Sequence, residues 1–174
     1  MNSNFRHPYF VIAVLVLLGT LFPPVWGNTA AAESNTGGKL QGTWQVQINP
    51  FICGTDILLP AFSALVSYAR GGTLTEVVNA GAFLPGQVTP GIGVWSRTQG
   101  GLYKAVWEVF ILFDTPSNVP GFPFKRGVQR LARDIQVFGD HMTFDASSEL
   151  LDANGNLLAV TCANGSGTRL SDAQ

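Results

Sequence analysis

Apolar and polar positions alternate along most of the chain, in short runs that end at turn-forming residues. The clearest run is residues 42–48, where Trp44, Val46 and Ile48 share one face of an extended segment. Residues 49–60 are predicted to be a loop, and residues 124–138 fit either a strand or a helix. Further strands are predicted at 63–69, 73–79, 91–98, 102–113, 142–151 and 156–163, the last with an extension toward residue 170 left open.

About eight strands joined mostly by short turns predict an all-β fold, an antiparallel up-and-down barrel. A two-sheet sandwich is the alternative. Residues 102–113 are apolar on both faces, which is typical of a strand that is covered on both sides or that borders an apolar cavity. Five residues on one face of this strand are predicted to line a ligand cavity: Tyr103, Trp107, Val109, Ile111 and Phe113.

The first 32 residues have the pattern of a secretory signal peptide. Arg6 and His7 precede an apolar run at residues 10–22, a Pro-Pro pair follows, and small residues end at Ala32. The run is shorter than the roughly 20 residues of a spanning helix, so an uncleaved anchor is the less favoured alternative. We expect cleavage after Ala32, or else after Gly27. A flexible lead-in at 33–40 and one barrel domain at 41–174 would follow, in a secreted or periplasmic protein.

The two cysteines are predicted to form a disulfide. Cys53 and Cys162 both remain after the leader is removed, and paired cysteines are usual in secreted domains. Two free buried thiols are the alternative. In a barrel the first and last strands are neighbours, so a bridge between these cysteines would fasten the closure.

Composition excludes several functions. The chain is 46% hydrophobic and 12% charged, which is unlike a disordered chain, and its formal charge of −1 offers no basic footprint for nucleic acid. A single histidine, His141, remains after leader removal, and no G-x-S-x-G motif is present, so neither a His-rich metal site nor a hydrolase triad is expected. We therefore expect no metal, no cofactor and no membrane association once the leader is cleaved.

A few ionisable side chains within apolar strands are the candidates for chemistry. Glu76, Glu108 and Tyr103 could serve as an acid, a base or a ligand anchor if they point inward. Lys104 and Glu108 share a face that we expect to be the outer one, because buried unpaired charges are rare. A solvated face is expected for three arginines: Arg126, Arg130 and Arg133.

The opening Gly42-Thr43-Trp44 resembles the G-x-W motif of the calycins, a group that includes the lipocalins and avidins. This resemblance implies a lipocalin-like barrel with an apolar ligand inside, and it implies that Arg169 packs across Trp44 to close the barrel. The T-D-x-x-Y block of that group is absent, and Trp44 as an ordinary core aromatic is the alternative. The chain also resembles small secreted bacterial proteins of unassigned function and, by architecture, the allene oxide cyclase barrels.

Three functional hypotheses follow. The leading one is a secreted, non-catalytic protein that binds a small apolar molecule. The second is a cyclase or isomerase in which Glu76, Glu108 or Tyr103 moves a proton on an enclosed apolar substrate. The third is an interaction protein that forms homo-oligomers, suggested by twelve Phe and four Trp in a weakly charged chain.

Overall fold

A computed structural model describes residues 40–80, 83–115 and 124–171. The predicted signal peptide and residues 33–39 of the lead-in lie outside this range. The all-β prediction is confirmed, and one 3-10 turn at Gln99–Gly101 is the helical element of the described residues. No helix in these ranges is long and apolar enough to span a membrane. The strands are β1 (Gly42–Ile52), β2 (Phe62–Tyr68), β3 (Thr73–Asn79), β4 (Gly91–Arg97), β5 (Leu102–Ile111), β6 (Gly127–Phe138), β7 (His141–Asp152) and β8 (Leu157–Arg169).

The strands pair in chain order, and the last pairs with the first. β8 runs antiparallel to β1 from Trp44 opposite Arg169 to Ile52 opposite Thr161. The closed up-and-down barrel is thus confirmed over the two-sheet sandwich. Closure pairs the backbone N–H and C=O groups that would remain unpaired along the edges of an open sheet.

Two predicted boundaries differ from the structure. Residues 49–52 belong to β1 and not to a loop, because they pair with residues 161–164 of β8. The ambiguous segment 124–138 is a strand from Gly127 onward, since it pairs along its length with both β5 and β7. In both places the ladder to a distant strand sets the local conformation.

The two ends of the barrel differ in their connections. At one end the strands are joined by residues 69–72, 98–101 and 139–140, and we call this the short-turn end. At the other, the loop end, the connections are longer: 53–61, 80–90, 112–126 and the four-residue turn 153–156.

Side chains from the wall fill the middle of the barrel. Inner positions such as Trp44, Val66 and Ile135 retain at most 1% of their accessible surface. At two glycines the adjacent strand approaches so closely that a side chain would collide with it. A Cβ on Gly93 would lie 2.4 Å from Trp107 Cβ, and one on Gly165 would lie 2.3 Å from Phe144 Cζ.

Candidate functional site

The short-turn end is closed by Trp44 and Arg169. The guanidinium carbon of Arg169 lies 4.2 Å from the centroid of the Trp44 ring, and the two residues are paired across β1 and β8. Trp44 Nε1 donates to the carbonyl of Leu40 at 2.8 Å, and Arg169 Nε donates to Asp140 Oδ1 at 3.0 Å. Leu40, at the end of the predicted flexible lead-in, is fully buried. This contact is the one that the calycin resemblance implies.

A disulfide fastens the same strand pair toward the loop end. Cys53 follows β1 directly and is bonded to Cys162 in β8, with 5.0 Å between their Cα atoms. The predicted pairing is confirmed, and the alternative of two free thiols is wrong.

The barrel interior contains a buried ion pair. Glu76 on β3 accepts a hydrogen bond from Arg133 on β6, with 2.9 Å between Oε1 and Nη2, and each side chain is 2% exposed. Arg133 Nη1 also donates to the Tyr68 hydroxyl at 3.3 Å. The expected solvated face is therefore wrong for Arg133. Residues three apart on a strand lie on opposite faces, so Arg130 points outward while Arg133 points inward.

Small neighbours make room for this cluster. Arg133 is paired across β5 and β7 with Ala105 and Ala146. Its guanidinium carbon lies over the rings of Trp107 and Phe144, at 4.7 and 4.2 Å from their centroids. The positive charge is thus covered by aromatic faces as well as by a carboxylate.

Electrostatics within the cluster keep the guanidinium charged and the phenol neutral. Burial opposes the charge of Arg133, but attraction from Glu76 and Tyr68 outweighs it, so the pKa of Arg133 is raised. Burial also raises the pKa of Tyr68, and the nearby guanidinium offsets part of that shift.

Two N–H donors in the cluster lack acceptors. Trp107 Nε1 and Arg133 Nε are both buried, and neither has a hydrogen-bond partner among the residues that the structure describes. The remaining nitrogens of Arg133 contact Glu76 and Tyr68.

Part of the inner wall is half-buried, although Val109, Ile111 and Leu150 toward the loop end are buried. Gln129 donates to Ser148 Oγ at 2.7 Å across β6 and β7, and both side chains are part-buried. Five apolar residues of the inner wall are also half-buried: Phe62, Val78, Leu131, Ala146 and Ala163. A cluster of three aromatic rings stands at the same end of the barrel, formed by Phe83, Phe113 and Phe124.

The predicted cavity residues are divided between two places. The inner face of β5 presents four of them, all buried: Tyr103, Trp107, Val109 and Ile111. Phe113 lies beyond the end of β5, in the aromatic cluster at the loop end. Of the β5 residues, Trp107 lies against the Arg133 guanidinium.

The two candidate carboxylates lie on opposite sides of the wall. Glu76 points inward, whereas Glu108 is outside and forms an ion pair with Arg130 at 2.8 Å, with more than half of each side chain exposed. Lys104 is also outside, 3.3 Å from Asp134. For an enzyme acting inside the barrel, Glu76 and Tyr103 are the inward-facing members of the predicted set.

The outer wall contains two shallow grooves. One, of about 520 Å³, runs over β4 to β7 past Ile92, Val94, Val106 and Arg130. The other, of about 810 Å³, is mainly polar and includes Lys104, Asp134 and Asn164. Within the described ranges, no group of three or more His, Cys, Asp or Glu side chains could hold a metal ion.

Sequence reasoning missed Arg133, Tyr68 and Phe144 as members of the interior cluster. The two-residue period of a strand, applied to residues 127–138, would have identified Arg133, because it places this residue on one face with Leu131 and Ile135. Nothing local indicates that Tyr68 and Phe144 contact it.

No family model and no curated sequence matches the chain. The closed eight-strand barrel is compatible with a calycin-like fold.

Proposed function

We propose that this protein binds a small, largely apolar molecule in the loop-end half of the barrel interior. The proposal rests on an uneven inner wall: it is fully buried at Trp44, whereas Ala146, Ser148 and Ala163 on β7 and β8 are half-buried. Binding sites of this kind combine an apolar lining with a few placed polar groups. Here the lining includes Phe62 and Leu131.

The polar cluster below this region would orient the molecule without acting on it. Glu76 is already bound by Arg133, and the two charges balance. Among the inward-facing residues of the predicted set, a cyclase or isomerase would have to use Glu76 or Tyr103 for proton transfer. The pairing of Glu76 with Arg133 supports binding over proton transfer, because using the carboxylate as a base would disrupt a buried ion pair.

We also propose that the protein is secreted or periplasmic. A disulfide between the first and last strands supports an oxidising compartment. Expression of the full chain with its leader, followed by mass measurement of the product, tests both the location and the cleavage after Ala32.

Mass spectrometry of an organic extract of natively purified protein tests the binding proposal. Ala146→Phe would fill the half-buried interior, and Ser147→Phe on the outer face of the same strand is the matched control. We expect a small apolar molecule from the wild type and from Ser147→Phe, and its loss from Ala146→Phe. The proposal is wrong if nothing is extracted and an apolar fluorescent dye does not bind either.

Self-association is the second candidate function. Outward residues of β4 and β5 form an exposed apolar row: Ile92, Val94, Val106 and Phe110, each more than half exposed. Large exposed apolar patches mark interaction sites. Light scattering of the wild type against Val94→Lys tests this role, and a monomer in both would contradict it.

A further inference from the structure

Two buried N–H donors beside the proposed binding region lack hydrogen-bond partners within the described part of the chain. Trp107 Nε1 and Arg133 Nε are buried N–H groups without acceptors among the described residues. More than nine in ten buried polar groups are hydrogen-bonded, and an unpaired one costs about 1–3 kcal/mol. Each of these two donors therefore calls for an acceptor, and the two side chains are in contact with each other.

The wall around the indole supplies no side-chain acceptor on its β4 side. Trp107 lies against Gly91 and Gly93, and a Cβ on Gly91 would stand only 3.1 Å from Trp107 Nε1. The indole edge thus lies against bare backbone. Arg133 covers the ring face at 4.7 Å, so its own free N–H belongs to the same part of the interior.

The charge balance decides which acceptor fits. Arg133 is neutralised by Glu76, and both are buried. A carboxylate ligand would add a second negative charge to a region away from water, which is expensive without a further cation. A carbonyl oxygen accepts two hydrogen bonds and adds no net charge.

Building on the proposed function, we propose that the bound molecule contains a neutral acceptor oxygen, of the ketone, ester or amide class, that accepts from Trp107 Nε1 and Arg133 Nε. The apolar remainder of the molecule then extends past Leu131 and Ala146 toward the loop end. An ordered water is the other source of an acceptor oxygen, and the test separates the two.

Three ligands of one shape provide the test: hexyl methyl ketone, the alkene in which =CH₂ replaces the carbonyl oxygen, and heptanoate. We expect the ketone to bind about tenfold more tightly than the alkene, the effect of a hydrogen bond of ordinary strength. Heptanoate should bind more weakly than the ketone at neutral pH.

Trp107→Phe removes one donor and keeps an aromatic ring. It should reduce the ketone-to-alkene affinity ratio toward one while alkene binding is retained. Trp95→Phe is the matched control, because the Trp95 indole donates to the carbonyl of Ala69. That variant should keep the wild-type ratio.

Indole N–H resonances of the wild type provide a measurement that does not depend on a variant folding. The Trp107 signal should move downfield with the ketone and not with the alkene. Signals of Trp44 and Trp95 should stay in place, because their N–H groups already donate to Leu40 and Ala69.

The outcomes distinguish the two proposals. If none of the three compounds binds but the apolar fluorescent dye does, this inference alone is overturned. If the dye does not bind either and nothing is extracted, the proposed function is overturned with it. If the ketone and the alkene bind equally tightly and the Trp107 signal does not move, this inference alone is overturned. The acceptor is then an ordered water. Tightest binding of heptanoate also overturns the inference alone.

Discussion

Arg133 and Glu76 form a salt bridge across the inside of the barrel, although their strands, β6 and β3, are not neighbours in the sheet. The contact joins residues 57 positions apart in the chain and links two opposite parts of the wall. We expect the intact pair to add little to the stability of the fold, because desolvation offsets much of the attraction.

Removing one partner of this pair should be far more harmful than removing both. Glu76→Leu leaves the Arg133 charge buried, and we expect a loss of about 3–5 kcal/mol in the free energy of unfolding. Adding Arg133→Met should recover most of it. Glu108→Leu, in the exposed pair with Arg130, is the control and should cost at most about 1 kcal/mol. Urea unfolding measures all four proteins, and a double variant no more stable than Glu76→Leu would contradict the prediction.

Tyr68 should make the fold sensitive to alkaline pH. Burial raises the pKa of Tyr68 above its ordinary value of 10.0, so the folded state holds the phenolic proton more tightly than the unfolded state. This contribution to stability is complete below the ordinary pKa and is lost as pH rises through the range between the two values. Urea unfolding across that range should show a steeper loss for the wild type than for Tyr68→Phe. Equal slopes would contradict the prediction.

Reducing the disulfide should destabilise the barrel strongly. Cys53 and Cys162 are 109 positions apart, and closing a loop of that length contributes about 4–5 kcal/mol on the chain-entropy model. Reductant should lower the melting temperature on the order of 10 °C. The double Ser variant should melt lower without reductant and show no further change with it. Two titratable thiols in the native, unreduced protein would refute the bridge.

Arg169→Lys should weaken the closure at the short-turn end. A lysine keeps the charge but loses the planar group that lies over Trp44 and donates to Asp140. We expect a cost of about 1–2 kcal/mol. The same change at the exposed Arg130 should cost less than about 0.5 kcal/mol. Thermal unfolding of both variants is the measurement, and equal losses would show that the stacking contributes nothing.

Gly93→Ala tests how closely β4 approaches β5. The new Cβ would lie 2.0 Å from the carbonyl oxygen of Val106 and 2.4 Å from Trp107 Cβ, neither of which can move far. Overpacking of this kind costs about 1–3 kcal/mol. Ser96→Ala, on the outer face of the same strand, should be nearly neutral. A Gly93→Ala variant that is as stable as the wild type and has unchanged tryptophan fluorescence would contradict the prediction. It would show that β4 moves away from β5 at little cost.

Much of the architecture could be predicted from local pattern. The alternation at Trp44, Val46 and Ile48 indicates a strand, because neighbouring residues encode which face is apolar. The same reasoning extends to the barrel order and the disulfide, since short turns favour antiparallel neighbours and closure brings Cys53 near Cys162.

Tertiary structure alone decided the chemistry of the interior. Whether Arg133 is solvated or buried depends on a carboxylate from β3 and on alanines in β5 and β7, and no window of sequence contains all of them. The extension of β1 to Ile52 likewise depends on its ladder with β8. Strand periodicity arises from adjacent residues, so it can be predicted from the sequence. A buried charge is tolerated only where another strand supplies a partner, so its burial is decided when the barrel closes.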